Sequence, residues 1–438
     1  MASLGAVSIA AMRAQRRTVA SFRENFKLPA RLWEQREVLR CVDLHCGGEP
    51  ATVVFGGGGV ADAPGATMFA KRAHVMERMD RWREVLLHEP RGYPCSNVDY
   101  LVEPTLAGAD AGFVIAEQAK IYPLMSGHNT ICVATALVEC GALPEDRRAS
   151  FLLEAPGGPI PIAADVAADG RCERVTFGGT PSFVGKRDAV VRLDAAACAA
   201  LALPATEVRV DVAYGGMWYV IVDAADLGLT LEPAEGARLR AVGELADAGA
   251  ANGRLDAASR ARAFRKPRPR SLRETVARPR ISRNEWPREG GRSHPRAAQV
   301  KAACRDQHPV DHPDFDYPGP DILAFRGPSA TPGVDAKNTV VMSNGYSGML
   351  DRSPCGSGTC AIMALLHERG ELRVGEDFVH ESVVGSIFTG RLAATTTVGG
   401  FPAVEPTIAG SAWITRYAEV VVDPTDPFPA GYRVADIW

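Results

Sequence analysis

The sequence predicts an α+β protein built from two similar halves. Two short turns, at 126–130 and 355–359, are each followed by an apolar segment of helical length. Around each of them, short runs with strand character alternate with Gly and Pro turns. Each half is therefore predicted to consist of strands with one central helix.

The two turns begin segments that align without a gap, 126–143 with 355–372. Helices are predicted at 131–140 and 360–369, and each run ends at a glycine placed for a left-handed C-cap. The alignment indicates a duplicated half-site, with one small nucleophile at each helix N-terminus. Six aligned pairs are identical: Gly127/Gly356, Thr130/Thr359, Leu137/Leu366, Glu139/Glu368, Gly141/Gly370 and Leu143/Leu372.

Short apolar runs between turn residues predict the strands of both halves. A further helix is predicted at 72–82, where apolar residues recur at helical spacing. Strands are predicted at 53–55, 85–88, 100–102, 112–115, 151–153 and 175–177 in the first half, and at 208–212, 218–222, 322–325, 337–342, 383–388 and 418–422 in the second.

A Gly-rich turn that opens a helix favours an anion, because it presents unpaired N–H groups at the positive end of the helix dipole. A substrate carboxylate is one candidate anion. Cys355 stands at such a turn, where the same field is expected to lower the pKa of its thiol. Asp351 is a candidate orienting group and Cys355 a candidate base. Taken alone, the turn also fits an inert core cysteine beside structural glycines.

The second copy changes this interpretation, because it adds Ser126 at the corresponding position of the other half. A planar carbanion next to a carboxylate can lose its proton to a group on one face and regain one from a group on the other. Two opposed acid/base residues and two helix N-termini suit such an α-proton exchange. Ser126 and Cys355 are the predicted catalytic pair.

The two loops, MSGHNTICVATAL (125–137) and DRSPCGSGTCAIMALLHERGEL (351–372), resemble the two signature loops of the proline racemase family. The segments VDLHCGGEPATVV (42–54), LLHEPRGYP (86–94) and FVHESVVGSIFTGR (378–391) are similar to further family blocks in family order. The resemblance implies two pseudo-symmetric lobes of the proline racemase and diaminopimelate epimerase type. Each lobe would be a curved sheet or barrel wrapped around a central helix, with the active site in the cleft between them.

The resemblance also implies domain limits. Lobe 1 is predicted to comprise 38–192 with the C-terminal segment from about 410 to 438, and lobe 2 to comprise 193–409. Residues 1–37 form a predicted disordered N-terminal extension. In the family a helix runs from a segment like 239–244 directly into one like 300–313, so 249–299 is an insertion, predicted to be disordered because it is rich in Arg and Pro.

The family's racemases and 4-hydroxyproline epimerases usually carry two cysteines, whereas this chain has Ser126 at the first position. A serine hydroxyl is a far weaker acid than a thiol, so symmetric racemisation should suffer. Dehydration needs only one competent base and one proton source, because a 3-hydroxyl can leave before any proton returns to the α-carbon. The predicted reaction is dehydration of trans-3-hydroxy-L-proline to pyrroline-2-carboxylate, with side 2-epimerase activity on 4-hydroxyproline; 4-hydroxyproline 2-epimerase as the main activity is the alternative.

By the resemblance, Ser126 accepts the α-proton and Cys355 donates one, although the chemistry equally allows a Cys355 thiolate to be the base. The predicted donors to the substrate carboxylate are Gly127, His128, Gly356 and Ser357, and Asp351 is predicted to bind the ring ammonium. A capping or packing role for His128 is the alternative. His45 and Glu49 are interpreted as structural hydrogen-bonding residues, and Trp218 and Tyr219 as walls of the ring pocket.

Composition bounds the remaining possibilities. The 438 residues are 46% hydrophobic and 23% charged, with a formal net charge of −3, which argues against a nucleic-acid or membrane role for the whole chain. The ten cysteines show no C-x-x-C spacing, so neither a metal site nor a disulfide framework is predicted. No cofactor motif is present, and no cofactor is predicted.

The expected location is cytoplasmic, with a mitochondrial alternative from the Arg-containing, acid-free N-terminus. The resemblance implies a homodimer.

The insertion supports a hypothesis of a different class. Residues 253–296 contain thirteen Arg and one Lys against four acidic residues, a net charge of +10, which leaves about −13 on the rest of the chain. A catalytically silent family member whose basic insertion binds polyanions is therefore the second alternative. It predicts salt-sensitive binding to polyanions and no substrate turnover.

Overall fold

The computed structural model describes residues 29–243, 300–314, 317–342 and 349–434. Within the predicted N-terminal extension, the described residues contain the short helix Ala30–Trp33, and the first strand begins at Glu37. The predicted insertion 249–299 lies outside the described residues.

Eight α-helices and nineteen strands are formed by the described residues. The helices are α1 Ala30–Trp33, α2 Met68–Arg78, α3 Arg81–Leu87, α4 Gly127–Glu139, α5 Ala195–Ala200, α6 Gly236–Gly243, α7 Val300–Gln307 and α8 Gly356–Glu368. Short 3₁₀ turns occupy Gln118–Lys120, Glu145–Arg147, Ala224–Leu227 and Pro233–Glu235.

The strands up to the middle of the chain are β1 Glu37–Cys46, β2 Glu49–Gly57, β3 Asn97–Val102, β4 Ala111–Ala116, β5 Ser150–Ala155, β6 Gly158–Val166, β7 Cys172–Gly178, β8 Ser182–Arg192, β9 Glu207–Tyr214 and β10 Trp218–Asp223. The later strands are β11 Val310–Asp311, β12 Pro318–Gly319, β13 Ile322–Gly327, β14 Ala336–Met342, β15 Met349–Leu350, β16 Asp377–Ser382, β17 Ile387–Val398, β18 Phe401–Gly410 and β19 Ala412–Val422.

The first group of strands surrounds α4. Strands β1 and β2 form a hairpin, β2 pairs in parallel with β3, and β5, β6 and β7 are antiparallel neighbours. The C-terminal strand β19 pairs with β1 from Glu37↔Val422 to Cys46↔Ala412. Helix α4 packs against β1, β2, β7 and β19.

The second group surrounds α8. Strands β8, β9, β10, β13 and β14 are successive neighbours, and β14 pairs with β16, which continues into β17 and β18. Helix α8 packs against β8, β9, β10, β17 and β18. Strand β18 also pairs with β7, so both groups belong to one continuous sheet. The predicted α+β fold with two lobes is confirmed, whereas the exact lobe limits stay a prediction.

Both central helices are almost wholly apolar and buried, which explains why the strands wrap around them. All residues of α4 from Gly127 to Val138 are buried, and the corresponding face of α8 is buried from Thr359 to Leu366. Both helices share one hydrophobic core. Gly141 and Gly370 have φ of 67° and 74°, as expected for left-handed C-caps.

Several local predictions were wrong. The two central helices begin at Gly127 and Gly356, four residues before the predicted starts at 131 and 360, because the turn residues themselves form the first helical turn. The helix predicted at 72–82 is two helices, α2 and α3, which meet at Met79 and Asp80. The strand predicted at 85–88 lies in α3, where Trp82, Val85 and Leu86 recur at helical spacing and are buried. Residues 383–386 connect β16 and β17 instead of lying in a strand. None of the described helices has the length and apolar character that a membrane crossing requires.

Candidate active site

The N-termini of α4 and α8 meet at the boundary between the two groups of strands. A methyl group built on Gly127 would lie 3.1 Å from the Cα atom of Gly356, and one built on Gly356 would lie 3.2 Å from the Cα atom of Gly127. Neither position has room for a side chain without movement of the opposite backbone. The close approach brings together two sets of unpaired N–H groups and two positive dipole ends.

Ser126 and Cys355 are the N-cap residues of these two helices, and neither side chain caps its own helix. Ser126 has extended backbone dihedrals, whereas Cys355 has a φ of 62° and a ψ of 109°, an uncommon conformation for a residue with a Cβ. Strain of this kind persists where the surrounding structure imposes it, as at functional sites. The first-turn N–H groups of both helices are consequently left free of side-chain caps from these two residues.

The threonines that align in the duplicated segments bond to the backbone at the start of each helix. Thr130 Oγ1 donates to the carbonyl of Ser126 at 2.7 Å, and Thr359 Oγ1 donates to the carbonyl of Pro354 at 3.2 Å. Both threonines are fully buried. The aligned threonines thus both bond to the backbone of their turn, but to carbonyls at different positions, four residues back in the first turn and five in the second.

Cys355 lies in a closed polar environment. Its Sγ atom is 3.4 Å from the hydroxyl of Tyr219 and 3.8 Å from that of Ser357, and these two hydroxyls are 2.7 Å apart. Burial, together with the negative charge of Asp351, raises the pKa of the Cys355 thiol to about 12. The expectation that the helix field lowers this pKa was wrong, because the loss of solvent outweighs it.

Ser126 has one side-chain neighbour of chemical interest. Its Oγ atom lies 3.2 Å from Nδ1 of His128, the second residue of α4. His128 is buried, and burial lowers its pKa to about 3, so the imidazole is neutral at neutral pH. The two N-cap side chains thus have unlike partners: a histidine for the serine, and two hydroxyls for the cysteine.

Asp351 lies in the loop that leads into α8 and is 3% exposed. Its Oδ1 atom accepts hydrogen bonds from the backbone N–H and the hydroxyl of Ser353, both at 2.8 Å. Burial raises the pKa of Asp351 to about 6, although the bonds from Ser353 act in the opposite direction. Asp351 is therefore largely ionised at neutral pH and close to its titration range.

The loop around Asp351 is tied to the first group of strands by Glu49. The fully buried Oε2 atom of Glu49, at the start of β2, accepts the backbone N–H of Arg352 at 2.8 Å. Burial and the charge of Asp351 raise the pKa of Glu49 well above its usual range, and the same two causes raise the pKa of Glu117 to about 7. Glu49 thus has a structural role, as expected, but its partner lies in the site loop of the other half.

The family model described as proline racemase matches residues 41–262 and 294–433 of this chain. The chain belongs to the proline racemase family. The model leaves 263–293 unmatched, inside the predicted insertion.

Three relatives illustrate the similarity of this family member to known proteins. A 4-hydroxyproline 2-epimerase of Streptosporangium roseum is 35% identical over 398 residues, which cover 91% of this chain and 98% of the relative. A hydroxyproline epimerase from Agrobacterium vitis, solved with bound trans-4-hydroxy-L-proline, is 30% identical with a TM-score of 0.69, covering 92% of this chain and 97% of that one. A probable proline racemase from Agrobacterium radiobacter K84, with bound carbonate, has 30% identity and a TM-score of 0.68, covering 91% and 98%.

Within this member of the proline racemase family, the predicted site residues lie at the meeting point of the two helices or on the loop before α8. Ser126, Gly127 and His128 belong to the first turn. Cys355, Gly356 and Ser357 belong to the second, which Asp351 precedes by four residues. Their roles remain proposals.

The interpretation of Trp218 as a wall of the ring pocket was wrong. Its Nε1 atom donates to the carbonyl of Tyr317, and its ring packs on Phe183 and Tyr214 in a second core that excludes both central helices. Tyr219, the next residue of β10, points to the opposite face and contacts Cys355. The alternation of side chains along a strand separates these neighbours, and it is the signal that assigns only one of them to the site.

A cavity of about 600 Å³ lies beside the site, and Leu350 and Arg352, the neighbours of Asp351, are among its lining residues. Its other lining residues include Tyr93, Cys95 and Val384, so that it is formed by both halves of the chain. In the part of the chain that the structure describes, no group of three His, Cys, Asp or Glu side chains is arranged to hold a metal ion.

Proposed function

We propose that this protein abstracts the α-proton of hydroxyproline, and that its main reaction is dehydration of trans-3-hydroxy-L-proline to pyrroline-2-carboxylate. The observation that carries the proposal is the contact between two helix N-termini whose N-cap residues are Ser126 and Cys355. A substrate carboxylate bound there would hold the α-carbon between two proton-exchanging side chains. Positioning of this kind and stabilisation of the developing negative charge supply most of the catalysis in such reactions.

The ends of the substrate would be bound by different groups. The free N–H groups of Gly127 and His128 on one helix, and of Gly356 and Ser357 on the other, are suited to the carboxylate. Asp351 is suited to the ring ammonium, because it is buried beside the same turn and ionises near neutrality. A buried carboxylate gains from a cationic partner that replaces its lost hydration.

The chemical states of the two N-cap residues favour dehydration over symmetric exchange. A serine hydroxyl is seldom ionised, and the raised pKa of Cys355 keeps its thiol protonated at neutral pH. Both groups can then donate a proton, but neither is predominantly a base. Dehydration needs one abstraction only, since departure of the 3-hydroxyl consumes the carbanion.

The second candidate is 2-epimerisation of 4-hydroxyproline. It is favoured by the names of the Streptosporangium roseum and Agrobacterium vitis relatives, which are both hydroxyproline epimerases. Epimerisation needs proton donation on the face opposite to abstraction, for which the protonated Cys355 thiol is suited.

Turnover of the two substrates tests the proposal. Proton NMR of the purified protein in deuterated buffer is expected to show pyrroline-2-carboxylate forming from trans-3-hydroxy-L-proline. Slower α-deuteration of trans-4-hydroxy-L-proline is expected in a separate sample. Efficient deuteration of the 4-hydroxy compound without dehydration of the 3-hydroxy compound would make the epimerase the main activity. No change in either sample from folded protein would refute both candidates.

The pH dependence follows from Asp351. Its carboxyl must be ionised to bind an ammonium, so kcat/KM is expected to fall as the pH decreases through about 6, by about tenfold per pH unit. The charged and titratable groups near Asp351 are Glu49, Glu117, Tyr219, Arg352 and Cys355. Steady-state kinetics between pH 4.5 and 8, with circular dichroism to verify folding, measures this limb.

The variant Glu49→Gln distinguishes the titration of Asp351 from that of Glu49. Burial and the charge of Asp351 raise the pKa of Glu49 and so favour its neutral form, and the neutral amide should therefore leave the acid limb in place. A shift of the limb to lower pH would show that Glu49 is charged and that its charge raises the pKa of Asp351. A rate independent of pH from 5 to 8 would contradict the role of Asp351.

A further inference from the structure

The side chain of Ser126 has a contact that is unusual for a serine at a helix N-cap. Serine at this position normally accepts a hydrogen bond from an N–H of the first turn, and this bond is absent. Its Oγ atom instead lies 3.2 Å from Nδ1 of His128. The contact joins the hydroxyl of Ser126, the weaker acid of the predicted catalytic pair, to an imidazole.

His128 is in the state that this contact requires. It is 7% exposed, and its ring is neutral at neutral pH because burial disfavours the charged form. Among the described residues, its Nε2 atom has no hydrogen-bond partner. In the tautomer with the ring proton on Nε2, Nδ1 accepts a hydrogen bond from the Ser126 hydroxyl.

We infer that His128 is a positioning residue that receives the hydroxyl proton of Ser126 while Oγ receives the α-proton of the substrate. The inference rests on the proposed function and deepens it. The C–H bond of the α-carbon breaks and a new O–H bond forms at Oγ, while the original O–H bond breaks and an N–H bond forms at Nδ1. Ser126 therefore never needs to become a free alkoxide, which removes the objection to a serine as base.

The same relay can run backwards to complete the dehydration. In trans-3-hydroxy-L-proline the hydroxyl is trans to the carboxylate, so it lies on the same ring face as the α-hydrogen. The electron pair of the broken C–H bond forms the C2=C3 double bond as the C3–O bond breaks. Oγ gives its proton to the departing oxygen, and Nδ1 returns its proton to Oγ. Water leaves and both residues are restored, without an external oxidant or reductant.

A weakly basic histidine can take part because the substrate changes its surroundings. A bound carboxylate at the two helix N-termini brings a negative charge next to the ring, and a nearby negative charge favours the imidazolium. The proton is held only while the carbanion exists. The backbone N–H of His128 can still donate to the carboxylate, since it is a separate group from the ring.

A double-mutant cycle tests the inference, with His128→Asn, Ser126→Cys and the combined variant. Asparagine can accept the serine hydrogen bond but cannot take up a proton. A thiol ionises without help, since its reference pKa is about 8.5. We expect His128→Asn to lower kcat for dehydration by about 10²-fold or more with little change in KM, and the same substitution in the Ser126→Cys background to cost less than about fivefold.

Equal losses in the two backgrounds would overturn the inference, because a structural or carboxylate-binding role for the ring does not depend on the residue at position 126. Unchanged activity of His128→Asn would overturn it as well. Thermal unfolding of each variant verifies that the proteins remain folded. A wild-type protein without turnover of either hydroxyproline would overturn the proposed function and this inference together.

A second measurement applies even where Ser126→Cys has low activity. The solvent isotope effect on kcat of the wild-type enzyme, measured in H₂O and ²H₂O, is expected to be normal, because the hydroxyl proton that moves from Oγ to Nδ1 exchanges with solvent, whereas the α-hydrogen is bonded to carbon. His128→Asn is expected to lose most of this isotope effect in its residual activity. A wild-type enzyme without a solvent isotope effect, or an equal effect in His128→Asn, would contradict the relay.

Discussion

Replacing Cys355 by alanine is expected to abolish 2-epimerisation of 4-hydroxyproline and to retain most of the dehydration of trans-3-hydroxy-L-proline. Replacing Ser126 by alanine is expected to abolish both reactions. Loss of a general acid or base costs about 10² to 10⁴-fold in rate, so each abolished reaction should fall by about 10³-fold. The two variants therefore separate two activities that share one carbanion.

The reason for the difference is stereochemical. Dehydration takes the α-proton and releases the hydroxyl on the same ring face, which the proposal assigns to Ser126. Epimerisation must deliver a proton to the opposite face, where Cys355 keeps its proton because burial raises its pKa to about 12. An enzyme with this pair should dehydrate faster than it epimerises, since the reverse epimerisation depends on a scarce thiolate.

Initial rates with both substrates, measured by NMR for each variant, give the comparison. Cys198→Ala is a matched control, because this cysteine is also buried but lies in α5 within the second core. It should leave both activities unchanged. Loss of dehydration in Cys355→Ala with retention in Ser126→Ala would exchange the two roles and make the Cys355 thiolate the base.

Alanine at Gly127 is expected to reduce kcat/KM for both reactions by about 10²-fold, because displacement of the reacting groups by about 1 Å is sufficient for such a loss. The added methyl would lie 3.1 Å from Cα of Gly356 and 3.2 Å from Cζ of Phe177. The helix N-termini would have to move apart. Overpacking of this kind also destabilises a protein by about 1 to 3 kcal/mol.

Gly178→Ala provides the matched control for this substitution. Gly178 ends β7, directly after Phe177, and a methyl group built there meets no atom within 4 Å. Its activity and melting temperature should equal those of the wild type. Full activity of Gly127→Ala, with the protein folded, would contradict the close approach of the two helices as a requirement for catalysis.

The presence and the C-terminal ends of the two central helices could be predicted because their signals are local, whereas their starts, predicted at 131 and 360, lie four residues earlier, at Gly127 and Gly356. A small residue and a glycine begin each helix, an apolar run fills it, and a glycine ends it, at positions that align across the duplication. Gly141 and Gly370 adopt the left-handed conformation that their position predicts. The predicted end of the helix at 72–82 failed, because its break at Met79 and the start of α3 depend on how Trp82 and Leu87 are buried against the sheet.

The chemical pairing of Ser126 with Cys355 was also accessible from the sequence, since both residues occupy one position of a repeat. Their protonation states were not. The local field at a helix N-terminus predicts a low thiol pKa, whereas the neighbouring Tyr219, Asp351 and the surrounding core determine the burial that raises it. The rise in the pKa of Cys355 caused by burial depends in part on residues more than a hundred positions away in the chain, such as Tyr219.

The sequence by itself determined the family, the two-lobed α+β fold and the residue types at the two helix N-termini, because short motifs and capping signals act over a few residues. Only the tertiary structure decided that Glu49 holds the loop of Asp351, that Tyr219 rather than Trp218 contacts Cys355, and that Gly127 and Gly356 approach too closely for a side chain on either. These contacts join elements distant in the chain, and the packing of strands around the two helices sets their distances. The pKa values of the site residues also depend on the tertiary structure, since the burial that shifts them is a property of the whole fold.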